Sequence, residues 1–366
     1  MTPIRILIVD DAVVVRKALT DGLSQDPDLE VVGSASNGRL ALAKLGNLQV
    51  DIILLDIEMP EMSGLEAIPE IRKILPKVPI IMFSALSERG AEATLEALSL
   101  GATDYVTKPS NMNMGSTSQS ITQELIPKIR ALCRLPSASH PHSAAGSTST
   151  VKQPAVIRTR PAPFGSARIS IVTIGVSTGG PDALGLLLPG IPAKFPLPIV
   201  VAQHMPPVFT AMLAKRLSER CALPVRECVS GDLLEPGCIW IAPGDYHMTV
   251  QKEDNHMVLR TNREPRENFC RPAVDVLFRS VAALYGANSL GVILTGMGQD
   301  GLKGCEALCA VGASIIIQDE ASSIVWGMPG FVARAGLAEK ILPLNQIASE
   351  IVRRVSASLP SLQLTH

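Results

Sequence analysis

The chain has 366 residues, enough for two domains of ordinary size that each bury a core of their own. Its net charge is −1 and hydrophobic residues make up 46%, which excludes a disordered or strongly basic protein. No stretch approaches the roughly 18 consecutive apolar residues of a membrane span.

The first half reads as alternating strands and helices. Residues 4–9 (Ile-Arg-Ile-Leu-Ile-Val) form a nearly continuous apolar strand, as expected where both faces of a parallel sheet are covered. A helix is predicted over 13–24, with further strands at 30–35, 51–55, 79–83 and 104–107. Helical patterns fall near 37–46, 64–74 and 88–99, and a last helix over 121–133. Five such alternations predict a doubly wound α/β domain spanning residues 1–133. Residues 134–166 lose apolar periodicity in a run of Ser, Thr, Pro and His, which predicts a flexible linker carrying His140 and His142 as solvated residues.

Strand patterns resume at 169–174, 197–202, 238–242, 289–294 and 313–317, giving a second, largely parallel α/β domain over 167–358 and a tail at 359–366. The segment 237–260 alternates, and with Pro243-Gly244-Asp245 as its turn it predicts an inserted β-hairpin. Lys plus Arg against Asp plus Glu number 10 and 16 over 1–110 (net −6), 6 and 1 over 111–166 (net +5), and 17 and 17 over 167–366 (net zero). A neutral second domain argues against nucleic acid as a partner. The seven Cys residues (Cys133, Cys221, Cys228, Cys238, Cys270, Cys305, Cys309) contain no Cys-x-x-Cys pair and read as reduced, mostly buried thiols. The N-terminal apolar run is too short for a signal peptide, so the expected location is the cytoplasm.

Chemistry gathers at the carboxyl ends of parallel strands. In the first domain Asp10, Asp11, Asp56, Ser84 and Lys108 all fall there. Three neighbouring carboxylates need a counter-charge, which Lys108 and a hard oxygen-liganded cation such as Mg²⁺ would supply. A carboxylate in such a setting can accept a phosphoryl group. In the second domain residues 175–179 match Gly-x-Ser-x-Gly, with Ser177 between a strand and a helix beginning near Pro181. The same glycines could cradle a nucleotide phosphate, although the Lys of a Walker motif is missing. His204 follows the strand 197–202 and is the natural base for Ser177, while His247, His256 and His366 read as surface residues. Asp300, in a Gly-rich loop after strand 289–294, is the expected carboxylate partner of that base. Its rival Asp275 lies inside a predicted helix over 274–284, where capping or an ion pair would explain it.

Residues 1 to about 130 resemble a bacterial response-regulator receiver domain, on Asp10, Asp11, Asp56, Ser84 and Lys108-Pro109. That resemblance implies phosphorylation at Asp56 by a chemotaxis histidine kinase. It implies Mg²⁺ on Asp11, Asp56 and the Glu58 carbonyl, with Asp10 acting through water. It makes Ser84, Tyr105 and Lys108 the switch residues, and the Lys108–Pro109 bond cis. Residues 169–355 resemble the catalytic domain of the chemotaxis protein-glutamate methylesterase/glutamine deamidase (CheB) family. The segments that carry it are Gly-Val-Ser-Thr-Gly-Gly-Pro, Gln-His-Met, Ile-Ala-Pro-Gly-Asp-Tyr-His, Arg271-Pro272-Ala273-Val274-Asp275, Leu-Thr-Gly-Met-Gly-Gln-Asp-Gly and Trp326-Gly327-Met328-Pro329. One departure is Ala273, where many members of that family have Ser.

This second resemblance implies a triad of Ser177, His204 and Asp300, with the Met297 N–H as oxyanion donor and Thr178 as a further hydrogen-bonding candidate. It implies hydrolysis of glutamyl methyl esters on methyl-accepting chemotaxis receptors, deamidation of glutamines, and no cofactor for the catalytic domain. The protein would be a monomer that meets the membrane only through its receptors, and phosphorylation would relieve blockage of the catalytic site by the receiver. Two other classes of protein share parts of this pattern. A DNA-binding output domain would be shorter, basic and helical, and a nucleotide-binding module would show itself by nucleotide titration.

Overall fold

The computed structural model describes residues 2–108, 124–133, 159–160 and 168–358. The chain divides into two compact units, Met1–Ser149 and Thr150–His366. Most of the segment read as a linker, along with Pro109 and the tail, lies outside the described residues. Arg160, inside that segment, donates its N–H to the Ala338 carbonyl of the second unit at 2.8 Å.

The first unit is a five-stranded sheet, β1 (Ile4–Val9), β2 (Leu29–Ala35), β3 (Ile52–Asp56), β4 (Ile80–Ser84) and β5 (Asp104–Thr107), in the order β2-β1-β3-β4-β5. Every pairing is parallel. The apolar runs 52–56 and 80–84 are buried along their whole length, because helices cover both faces. Register then fixes what meets at the carboxyl edge. Val9 pairs with Leu55, Asp56 with Phe83, and Ser84 with Thr107. The next residues along β1 and β5, Asp10 and Lys108, therefore converge on Asp56. The edge between β1 and β3 is also where strand order reverses, the position at which an open α/β sheet leaves a crevice.

The second unit holds a seven-stranded sheet in the order β14-β13-β12-β6-β7-β9-β8. These are β6 (Ile171–Val176), β7 (Ile199–Gln203), β8 (Val225–Glu227), β9 (Ile239–Ile241), β12 (Ser289–Ile293), β13 (Ser314–Gln318) and β14 (Lys340–Leu342), all paired in parallel. The three-residue strands β8 and β14 are too short to leave a pattern in the sequence. Val176 pairs with Gln203 and Gly175 with Ile293. Ser177, His204 and the loop after β12 thus leave three adjacent strands side by side, with the order reversing between β6 and β12.

One expectation fails. Residues Ile239–Ile241 belong to the parallel sheet, and the hairpin is β10 (His247–Glu253) with β11 (His256–Asn262), joined at Asp254-Asn255. Pro243-Gly244-Asp245 does turn the chain, with Asp245 at φ +61°, but it ends a parallel strand. The hairpin packs on the helix Val274–Tyr285, where the Val250 N–H meets the Ser280 hydroxyl at 3.0 Å. Among the described residues no helix is long and apolar enough to cross a membrane.

Candidate active site

The elbow carrying Ser177 is tied down from several directions. Its backbone N–H reaches the Thr295 carbonyl at 3.1 Å, and Gln203, fully buried, donates Nε2 to the Ser177 carbonyl at 3.0 Å. The helix Gly180–Leu187 starts directly behind it, after Gly179 at φ +75°, a conformation that costs Gly little. The loop after β12 lies against the serine: a Cβ on Gly296 would sit 2.8 Å from Ser177 Cβ and 2.4 Å from Met328 Sδ. Ser177 is left half-buried, and among the described residues its hydroxyl has no hydrogen-bond partner. Nor do the backbone N–H groups of Thr178 and Met297 have an acceptor among them, so both stand available beside the serine.

His204 follows β7, its N–H held by the Val176 carbonyl at 3.2 Å. Its Nε2 meets Asp300 Oδ2 at 2.7 Å. Asp300 is buried and accepts four further bonds, from Val274 N (2.6 Å), Asp275 N (3.0 Å), Gly301 N (3.0 Å) and Asn268 Nδ2 (3.0 Å). Two of these are the first N–H groups of the helix Val274–Tyr285, whose N-cap residue Ala273 has no side chain to cap them. Asp300 caps that helix from outside, which accounts for the tolerance of Ala at 273. Burial pushes the Asp300 carboxyl up, but the His204 imidazole and the helix N–H groups hold it below the usual carboxylate range.

The rival Asp275 does not reach His204. It is buried, and its Oδ1 takes the Gly304 N–H at 2.7 Å, an external cap on the helix Leu302–Ala310. Among the described residues Asp275 makes no ion pair, so capping alone explains its place. Burial and the nearby Asp300 push its carboxyl upward.

Three participants escaped the sequence reading. Asn268, at φ +51°, donates the same Nδ2 to Asp275 Oδ2 at 2.9 Å and to Asp300, bridging two buried carboxylates. His247 was expected on the surface, yet it is buried, with Nε2 at 3.1 Å from the Pro265 carbonyl and Nδ1 accepting from Ala273 N at 3.2 Å. His256 is exposed as expected. Cys270, half-buried, brings its Sγ to 3.4 Å from His204 Nδ1. Asn268 and Cys270 sit in the excursion 263–273, anchored by Arg271, which bonds Asp245 at 2.6 Å and the carbonyls of Arg263 and Glu264 at 3.0 Å. Burial pulls the His204 imidazole down, but the Cys270 sulfur and Asp300 outweigh it and raise it to about 10. A protonated ring has no lone pair to offer. A neutral ring with its proton on Nε2, facing Asp300, leaves the Nδ1 lone pair free.

In the first unit Lys108 Nζ lies 2.8 Å from Asp56 Oδ1 and 3.0 Å from Asp10 Oδ2. Asp10 and Asp56 are buried and Asp11 is exposed. Burial raises the Asp56 carboxyl to about 6 against the pull of Lys108. Carboxylate oxygens of all three acids lie within 4.8 Å of one another, with the Lys108 ammonium as the only cation at Asp10 Oδ2 among the described residues. An all-oxygen, partly open donor set of this kind fits a hard divalent cation. The Glu58 side chain points elsewhere, to Arg89 at 3.3 Å. Ser84 turns its hydroxyl to the Gly90 carbonyl at 3.1 Å, and Tyr105 is buried.

Fold and sites define a receiver-type unit joined to an α/β unit that brings Ser177, His204 and Asp300 to one edge of its sheet. Residues 6–116 match the response regulator receiver domain family and residues 172–351 the CheB methylesterase family. The chain is 50% identical over 356 residues to a protein-glutamate methylesterase/protein-glutamine glutaminase of Trichodesmium erythraeum, covering 97% of this chain and all of that one. A Nocardioides protein of the same description is 47% identical, covering 99% of this chain and 98% of that one. The crystal structure of the Thermotoga maritima CheB methylesterase catalytic domain aligns with a TM-score of 0.50 at 39% identity, covering 50% of this chain and 98% of that chain. The chain belongs to the protein-glutamate methylesterase/protein-glutamine glutaminase family.

Proposed function

We propose that the second unit hydrolyses γ-glutamyl methyl esters, and deamidates particular glutamines, on methyl-accepting chemotaxis receptors. The observation that carries this reading is the His204–Asp300 bond of 2.7 Å, set one strand away from Ser177. Because Asp300 engages Nε2, the nitrogen that takes the serine proton is Nδ1. The Ser177 oxygen attacks the ester carbonyl, and its proton passes to His204. The carbonyl oxygen gains charge next to the N–H groups of Met297 and Thr178. His204 returns the proton to the departing methoxide, releasing methanol, and water then cleaves the acyl-enzyme by the same route. With a glutamine side chain the leaving group is ammonia. The bond between Ser177 and His204 forms when substrate orients the hydroxyl, as is common where the free enzyme leaves it open.

The receiver unit supports phosphorylation of Asp56 by a histidine kinase. Asp11, Asp56 and the Glu58 carbonyl would hold Mg²⁺, with Asp10 through water. The ion supplies charge neutralisation for the incoming phosphoryl group. Lys108 adds a second positive charge at the acceptor oxygen, while Ser84 and Tyr105 change position to report the modification. In this reading the protein works at the cytoplasmic ends of receptors as a monomer, with residues 1–133 as receiver, 134–166 as tether and 167–358 as catalytic domain. Mass spectrometry of methylated receptor incubated with the protein tests the reading. Methylated glutamates should revert to glutamate with wild type and stay methylated with His204→Ala, and reversion at equal rates would overturn it.

A further inference from the structure

Cys270 faces the same nitrogen that the proposed mechanism needs. Its Sγ is 3.4 Å from His204 Nδ1, while Nε2 is held by Asp300 at 2.7 Å. Donor atoms of three different kinds, from His204, Cys270 and Asp300, lie within 4.8 Å of one another. A tetrahedral zinc ion with sulfur at about 2.3 Å and imidazole nitrogen at about 2.05 Å sets those two atoms about 3.5 Å apart. The observed separation is nearly that of a shared metal ion. Asp300 contributes in a second way. By accepting the Nε2 proton it leaves the Nδ1 lone pair free and fixes the ring, the arrangement that orients metal-bound imidazoles. Four other donors hold Asp300 itself. Access is open, since Cys270 is half-buried and the adjoining Phe269 is 95% exposed.

We propose that the catalytic centre doubles as an inhibitory site for a thiophilic divalent cation, Zn²⁺ above all, bound through His204 Nδ1 and Cys270 Sγ. Water completes the coordination, and the Cys270 thiol proton leaves to solvent as the metal–sulfur bond forms. Occupancy removes the lone pair that would accept the Ser177 proton, so methanol release stops. Mg²⁺ does not compete, because it prefers the oxygen donors of Asp10, Asp11 and Asp56. The inhibitory consequence rests on His204 being the base of the esterase, whereas the binding does not.

The test uses the full chain, kept reduced and saturated with Mg²⁺. Titration with Co²⁺ should produce a near-ultraviolet thiolate-to-metal absorption that saturates at one ion per chain. Both Cys270→Ala and His204→Gln should lose it, the latter with all seven thiols intact. Zn²⁺ should inhibit methanol release, a chelator should restore it, and half-inhibition should need on the order of tenfold or more Zn²⁺ in Cys270→Ala. An unchanged absorption in either variant, or unchanged half-inhibition in Cys270→Ala, would mean a simple thiol–imidazole hydrogen bond and overturn the site. A Cys270-dependent absorption in a protein that releases no methanol even without metal would uphold the metal site and sink the esterase reading instead.

Discussion

Asn268 offers a demanding test of how the triad is supported. Its Nδ2 stands 2.9 Å from Asp275 Oδ2 and 3.0 Å from Asp300 Oδ1, and among the described residues it is the one side-chain donor shared by these two buried acids. Asn268→Gly removes the bridge while keeping the backbone at φ +51° unstrained. A hydrogen bond to a charged acceptor contributes about 1.5–3 kcal/mol, and one donor group here serves two. Allowing for the half-buried position, the catalytic unit should lose about 2–3 kcal/mol. Asn268→Asp should lose more, because it sets a third carboxylate against two. Asp300 keeps its bonds to His204, Val274, Asp275 and Gly301, so the rate of methanol release should fall by only about tenfold. Urea unfolding followed by tryptophan fluorescence is the assay, since the two tryptophans, Trp240 and Trp326, both lie in the second unit. Midpoints equal to wild type for both variants would refute the bridging role.

Other outcomes follow from single contacts. Gly296→Ala should cost about 1–3 kcal/mol and most of the activity, since its methyl meets Met328 and Ser177; thermal melting and methanol assays check this. With Mg²⁺ and a small phosphodonor, an alkali-labile acyl phosphate should appear on wild type, vanish in Asp56→Asn and weaken in Asp11→Asn. Glu350 sits among Arg353, Arg354 and Lys340, and its bonds to them, against the cost of burial, hold its carboxyl well below the usual range. A depressed folded value adds stability that is full above the unfolded pKa of about 4.3 and is lost as pH falls towards the folded value. Glu350→Gln should therefore lower the unfolding midpoint at pH 7 and flatten its decline below about pH 5.

Much of the candidate site is legible because both sheets are parallel and buried. Apolar runs such as 52–55 and 171–176 mark strands, and whatever polar residue follows them must lie at the carboxyl edge. Asp56, Ser177 and His204 are found in that way. The excursion 263–273 has no periodicity, so nothing local announces that Asn268 and Cys270 swing back against His204 and Asp300. Their placement depends on Arg271 bonding Asp245, 26 residues away. His247 misleads for a related reason: a turn at Pro243-Gly244-Asp245 puts it within an exposed hairpin, whereas its ring lies beneath Ala273. Strong turn residues such as Pro243-Gly244 mark a reversal, but they do not say whether the next strand pairs with the last.

Ser177 as the nucleophile of a methylesterase is open to direct test. Methanol release from fully methylated receptor by wild type and by Ser177→Ala measures it most directly, with circular dichroism confirming that the variant is folded. Loss of methanol release by about 10³-fold or more is expected in Ser177→Ala, with the fold unchanged. A folded Ser177→Ala protein that still releases methanol at a substantial fraction of the wild-type rate would contradict it.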